Sequence, residues 1–307
     1  MQFTSTQRTS RLTTLLGFIS MVLIWGSFPV AVKIGIANVP PLLFSSIRFC
    51  IAFCVMATIA VIQRKKLRIR TKEHLQISLV SLCMVGIPSC IFFVATLYAP
   101  VSVLTLMWAT APIFTALFNM RGKGEIRGWR LLTSMVIGSL GILIVLLGRL
   151  PFWPGANSGA FTFASNEAAL IGELAVLGSA AVYGLGMLFA KRSSQDMPVT
   201  VLTAWQVFYS SIFIALMSLI FERGHVVNPT WITLGALFYL ATFCSCISFF
   251  LTFWLIRHIG TIRTAYGDFI IPGVTLILSF FILGEDLSPA KIGGLALVIL
   301  GVILVET

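Results

Sequence analysis

Apolar residues run along the chain in long blocks rather than in narrow amphipathic stripes, and short stretches rich in charge, proline or glycine separate the blocks. The blocks predict spans near 14–36, 41–62, 74–98, 101–120 and 131–148, then 167–190, 199–221, 231–256, 262–283 and 289–305. About 20 residues in a helix cross the ~30 Å hydrocarbon core, and lipid offers no partner to an open backbone group. The predicted fold class is therefore an all-α polytopic membrane protein with ten transmembrane helices.

A break divides the pattern in two. Leu150-Pro-Phe-Trp-Pro-Gly-Ala-Asn-Ser-Gly159 has the composition of a loop and separates five blocks from five. Residues 1–148 form a first five-helix repeat, 149–166 an exterior linker and 167–307 a second repeat. Because five is odd, the second repeat is expected to sit inverted relative to the first. Internal matches support the duplication. At an offset of 158, Trp25-Gly26 falls on Tyr183-Gly184, Lys33 on Lys191 and Pro40 on Pro198. At an offset of 160, Pro112 falls on Pro272, Thr115 on Thr275, Gly124-Glu125 on Gly284-Glu285, and Gly141 on Gly301.

Composition agrees with the pattern: 58% of the residues are hydrophobic and 10% charged, against about 25% charged in a soluble domain. The net charge of +11 sits mostly in the connections, so orientation in a bilayer explains it and a nucleic-acid role is not expected. With the N-terminus inside, the inner connections carry 16 of the 21 basic residues and the outer loops two, which places both termini in the cytoplasm. All six cysteines lie inside apolar blocks, where neither a disulfide framework nor a metal site is expected, and no cofactor is implied.

Polar residues inside the spans are the candidates for chemistry. Thr264, Asp268, Pro272, Thr275 and Ser279 share one helical face of span nine, and Thr105, Trp108, Pro112, Thr115 and Asn119 repeat that stripe in span four. Such a stripe must face the bundle interior or a wet cavity. Asp268 is the only aspartate deep inside a span. A carboxylate there costs several kcal/mol unless protonated, paired or hydrated, so it is read as a station for a proton or a substrate amine, against a fixed ion pair as the alternative. Glu173, near the outer end of span six, is a second acidic station or a group solvated at the interface. Arg48, about 10 Å into span two, binds a substrate carboxylate or clamps two helices. Trp25, Trp108, Tyr183 and Tyr266 are expected to wall a site for an amphipathic or cationic solute, or else to pack helices. Pro29, Pro88, Pro112 and Pro272 interrupt spans and are candidate gating hinges.

The run Trp25-Gly-Ser-Phe-Pro-Val-Ala-Val-Lys33, Pro40-Pro41 followed by Arg48-Phe49, the Pro112 and Pro272 helices, and Gly284-Glu285 leading into Ile292-Gly-Gly294 and Gly301 resemble the drug/metabolite transporter superfamily, EamA type. The resemblance covers nearly the whole chain. It implies two inverted five-helix repeats around a cavity lined largely by helices one, three, four, six, eight and nine. It also implies export of amino acids and other small metabolites, driven by protons or by exchange. Carried over by position, Trp25, Trp108, Tyr183, Tyr266 and Asp268 are cavity candidates, and the two Gly-Glu pairs are structural loop motifs.

The expected function is a secondary carrier in the bacterial inner membrane, a monomer or homodimer. Its partners are a small-molecule substrate, a proton or counter-substrate, and the lipid bilayer. A passive facilitator or channel is the alternative, and an intramembrane enzyme a remote one. No nucleotide-binding Gly-x-x-x-x-Gly-Lys-Ser/Thr sequence supplies a motor. Aspartyl-protease chemistry would need a second carboxylate beside Asp268, yet Asp196 and Asp286 lie in connections.

Overall fold

A computed structural model of the chain describes residues 11–119, 167–224 and 226–306, with positions 133, 136, 137, 140, 141 and 144 between them. Apart from those positions, predicted span five and the 149–166 linker lie outside the described residues. Described residues form helices and no strand: α1 (Arg11–Gly35), α2 (Pro41–Ile62), α3 (Thr71–Ala95), α4 (Val101–Trp108), α5 (Ala111–Asn119), α6 (Glu167–Asp196), α7 (Val199–Phe221), α8 (Trp231–Ile259), α9 (Thr261–Ala265), α10 (Gly267–Leu278) and α11 (Pro289–Glu306). Seven of the resulting segments are long and apolar enough to cross a membrane, and the Val101–Thr115 run is a shorter apolar one.

Helix starts follow from local chemistry. Pro40, Pro100 and Pro198 stand at the N-caps of α2, α4 and α7, where a missing N–H costs nothing. Thr230 caps α8 by accepting from the Thr233 N–H at 3.2 Å. Gly260, at φ 90°, lets α8 stop and α9 begin.

Spans four and nine differ from the continuous helices expected. Span four is broken between Trp108 and Ala111, because the Pro112 ring would meet the Trp108 carbonyl and offers it no donor. Span nine is broken at Tyr266, six residues before Pro272, and Pro272 itself lies inside α10. Three spans also contain widened π-helical turns: Leu82–Gly86 in α3, Leu240–Ile247 in α8, and Ser279–Leu283 after α10. The first two begin at Leu82 and Leu240, 158 residues apart, so the duplication carries the irregularity as well as the helix.

Helix pairing crosses between the halves. The α2 helix packs along α7, α1 along α10, and α6 against α3 and α5. Two carboxylates from the second half cap helices of the first. Glu222 accepts from the Leu42 and Leu43 N–H groups at 2.7 and 2.8 Å, and Glu285 from those of Val101 and Ser102 at 2.8 and 3.2 Å. Lys33 donates to the Thr96 carbonyl at 2.6 Å, tying the end of α1 to that of α3.

Candidate functional site

Between the halves lies a cavity whose walls come from α1, α2, α3, α4, α6, α8 and α10. Its lining is mainly aromatic and apolar: Trp25, Phe28, Phe92, Trp108, Tyr183 and Phe249 contribute rings, and Met84, Ile271, Pro29 and Pro88 fill between them. Ser89, Thr105, Arg48 and Asp268 supply the polar groups. An apolar pocket with a few convergent polar groups is the usual form of a small-molecule site.

The ring walls are built across the duplication. Trp108 of the first half meets Tyr183 of the second with centroids 5.1 Å apart, and Trp25 meets Phe249 edge-on at 5.2 Å. Four of the five aromatic or basic candidates for the cavity, Trp25, Arg48, Trp108 and Tyr183, therefore line it together. Tyr266 is buried at the junction of α9 and α10 and is not among the lining residues.

Asp268 stands in the first turn of α10, where the helix dipole favours a negative charge. It is 7% exposed, and no hydrogen bond reaches its Oδ2. The rest of its stripe is occupied elsewhere. Thr264 donates to the Gly260 carbonyl, Ser279 to that of Leu276, and Thr275 reaches across to the Gly26 carbonyl of α1 at 2.8 Å. The span-four stripe behaves alike, with Thr105 and Thr115 donating to the carbonyls of Val101 and Ala111. The stripes thus divide between cavity and helix contacts: Thr105, Trp108 and Asp268 face the cavity, while Thr115 and Thr275 do not line it.

Arg48 is 1% exposed, and its Nε and Nη1 make no hydrogen bond. Glu173 is 1% exposed and is not among the residues that line the cavity. All four hinge candidates relate to the site through the backbone. A proline at position i+4 has no N–H for the carbonyl of residue i. Pro29, Pro88, Pro112 and Pro272 thereby withhold that donor from Trp25, Met84, Trp108 and Asp268, and each of these lines the cavity.

Hydropathy and spacing do not single out the π-helical turns, the capping role of the two carboxylates or Gln206. Gln206 is fully buried, with Oε1 unpaired and Nε2 3.9 Å from the Met84 Sδ. An offset of 158 from Arg48 finds it. Among the described residues no cluster of three His, Cys, Asp or Glu side chains is suited to a metal.

The model of the EamA-like transporter family matches residues 12–147 and again 170–307. The chain is 26% identical to the "Uncharacterized transporter YoaV" of Bacillus subtilis, over 94% of this chain and 95% of that one. To the "Uncharacterized inner membrane transporter YedA" of Escherichia coli it is 24% identical over 93% and 88%. To the "Probable amino-acid metabolite efflux pump" of Salmonella typhimurium it is 23% identical over 93% and 92%. A protein known from a crystal structure superposes with a TM-score of 0.72 and 20% identity over 96% of each chain, which carries the likeness of fold. With its family model matched once in each half and its helices apolar enough to span a bilayer, the chain belongs to the EamA-like transporter family and is an integral protein of the bacterial inner membrane.

Proposed function

We propose that this protein is a secondary active transporter that exports small amphipathic metabolites, amino acids among them, by alternating access. In this reading ten helices in two inverted repeats, both termini cytoplasmic, rock about the midplane site, as a monomer or homodimer. Asp268 is the coupling station: it exchanges a proton, or holds the solute amine while a counter-substrate returns. Trp25, Trp108 and Tyr183 form the solute walls, Tyr266 and Glu173 act from outside them, and the four prolines are the hinges.

The observation that carries this reading is the composition of the cavity: a buried carboxylate and a buried guanidinium among rings contributed by both halves. Rings suit an apolar side chain or a cation, and the two ionisable groups suit a solute that carries charge of its own. The name of the Salmonella relative, an amino-acid metabolite efflux pump, points the same way.

Uptake of a labelled panel of amino acids and aromatic cations into proteoliposomes, with and without an imposed pH gradient, tests it. Accumulation against the solute gradient, driven by the pH gradient, is expected for at least one solute class. Equilibration without accumulation would instead identify an exchanger or facilitator and remove the proton-coupling role from Asp268.

A further inference from the structure

A guanidinium buried in a membrane protein is ordinarily held by a carboxylate, and among the described residues none pairs with Arg48. Its charge lies over three phenyl rings, 5.1 Å from the centroid of Phe28, 4.1 Å from Phe49 and 5.2 Å from Phe93. The rings come from α1, α2 and α3, and Phe49 and Phe93 are fully buried. A ring face attracts a cation electrostatically without taking up its N–H groups. The box therefore offsets part of the cost of burying the charge without taking up its donors, and Nε and Nη1 make no hydrogen bond in a residue that lines the cavity.

The duplication supplies a comparison within the same molecule. Gln206 occupies the position equivalent to Arg48 and is equally buried, with its amide 3.9 Å from the Met84 Sδ, so the duplicated plan accepts a neutral side chain at that point. The duplicated plan therefore does not itself call for a charge at this position. A planar guanidinium with open donors is suited to bidentate recognition of a carboxylate.

We propose that Arg48 is the receptor for a carboxylate carried by the transported solute, with the Phe28, Phe49 and Phe93 box standing in for a protein counter-ion. The solute completes the ion pair. This inference rests on the transport function proposed above and narrows its substrates to small carboxylates, with Asp268 across the same cavity free to receive an amine.

The test is thermal stabilisation of the protein in lipid nanodiscs by each of the twenty natural amino acids and by its carboxamide. At least one acid is expected to raise the midpoint of unfolding while its amide does not. Arg48→Lys, which keeps the charge and loses the planar fork, is expected to weaken the response about tenfold in concentration. Phe93→Leu, which leaves Arg48 in place and opens the box, should weaken it as well. Equal stabilisation by acid and amide, an unchanged response in Arg48→Lys, or no response to any acid would overturn the proposal. If proteoliposomes still accumulated a solute without a carboxylate, the transport function would stand and only the carboxylate receptor would fall.

Discussion

Asp268 and Arg48 were legible as residues because each is a lone ionisable group in an apolar run, and the bilayer makes such a residue expensive. What surrounds them was not legible. The phenyl box joins positions 28, 49 and 93 from three helices, and no local pattern encodes a contact of that separation. Nor does spacing tell which hydroxyl of a stripe turns back on its own helix, as Thr115 does, and which crosses to a neighbour, as Thr275 does. The Asp268 carboxylate has an open oxygen and no ion partner among the described residues, so the nearly isosteric Asp268→Asn breaks no ion pair there. It should leave the unfolding midpoint within a few degrees of the parent and abolish gradient-driven accumulation. Full coupled transport by that variant in proteoliposomes would remove Asp268 from the coupling step.

At the scale of elements, the positions of the described helices could be read from hydropathy, whereas their interruptions could not. Pro112 accounts for the break between α4 and α5, but no residue of the local sequence marks the break at Tyr266 or the three π-helical turns. Gly284-Glu285 was recognisable as a loop motif, and the structure adds its purpose: the Glu285 carboxylate satisfies two orphan N–H groups at the start of α4. Glu222 does the same for α2, and Ser218 donates to its carboxylate at 2.7 Å. Each pair of bonds fastens the second half to the first. Losing such a cap costs about 0.5–2 kcal/mol. Glu222→Ala and Glu285→Ala are each expected to lower thermal stability in detergent by that order, and Glu222→Gln, which keeps one acceptor, by less. An unchanged midpoint in both alanine variants would show that these carboxylates hold nothing the lipid-facing packing does not already hold.

The whole molecule is two interlocked copies of one plan, and the interlock is visible at equivalent points. Gly26 of the first half lies against Val274 of the second, and Gly184 of the second lies against Phe114 and Thr115 of the first. The offsets of 158 and 160 that relate Gly26 to Gly184 and Phe114 to Val274 are the ones found in the sequence, so the two crossings are one contact made twice. A side chain is excluded at both. A Cβ on Gly184 would stand 2.8 Å from the Thr115 backbone nitrogen, which cannot turn aside as a flexible side chain can. Gly178, six residues earlier in the same helix, has open space where its Cβ would be. Gly184→Ala is therefore expected to destabilise the protein by about 1–3 kcal/mol through overpacking, while Gly178→Ala should be neutral. If the halves move past each other at these crossings, Gly184→Ala should also slow transport beyond its effect on stability, and Gly178→Ala should not. Unfolding midpoints and initial rates measured on the same two variants separate these effects. Equal behaviour of the two would show that the halves do not depend on close approach at the Gly184 crossing.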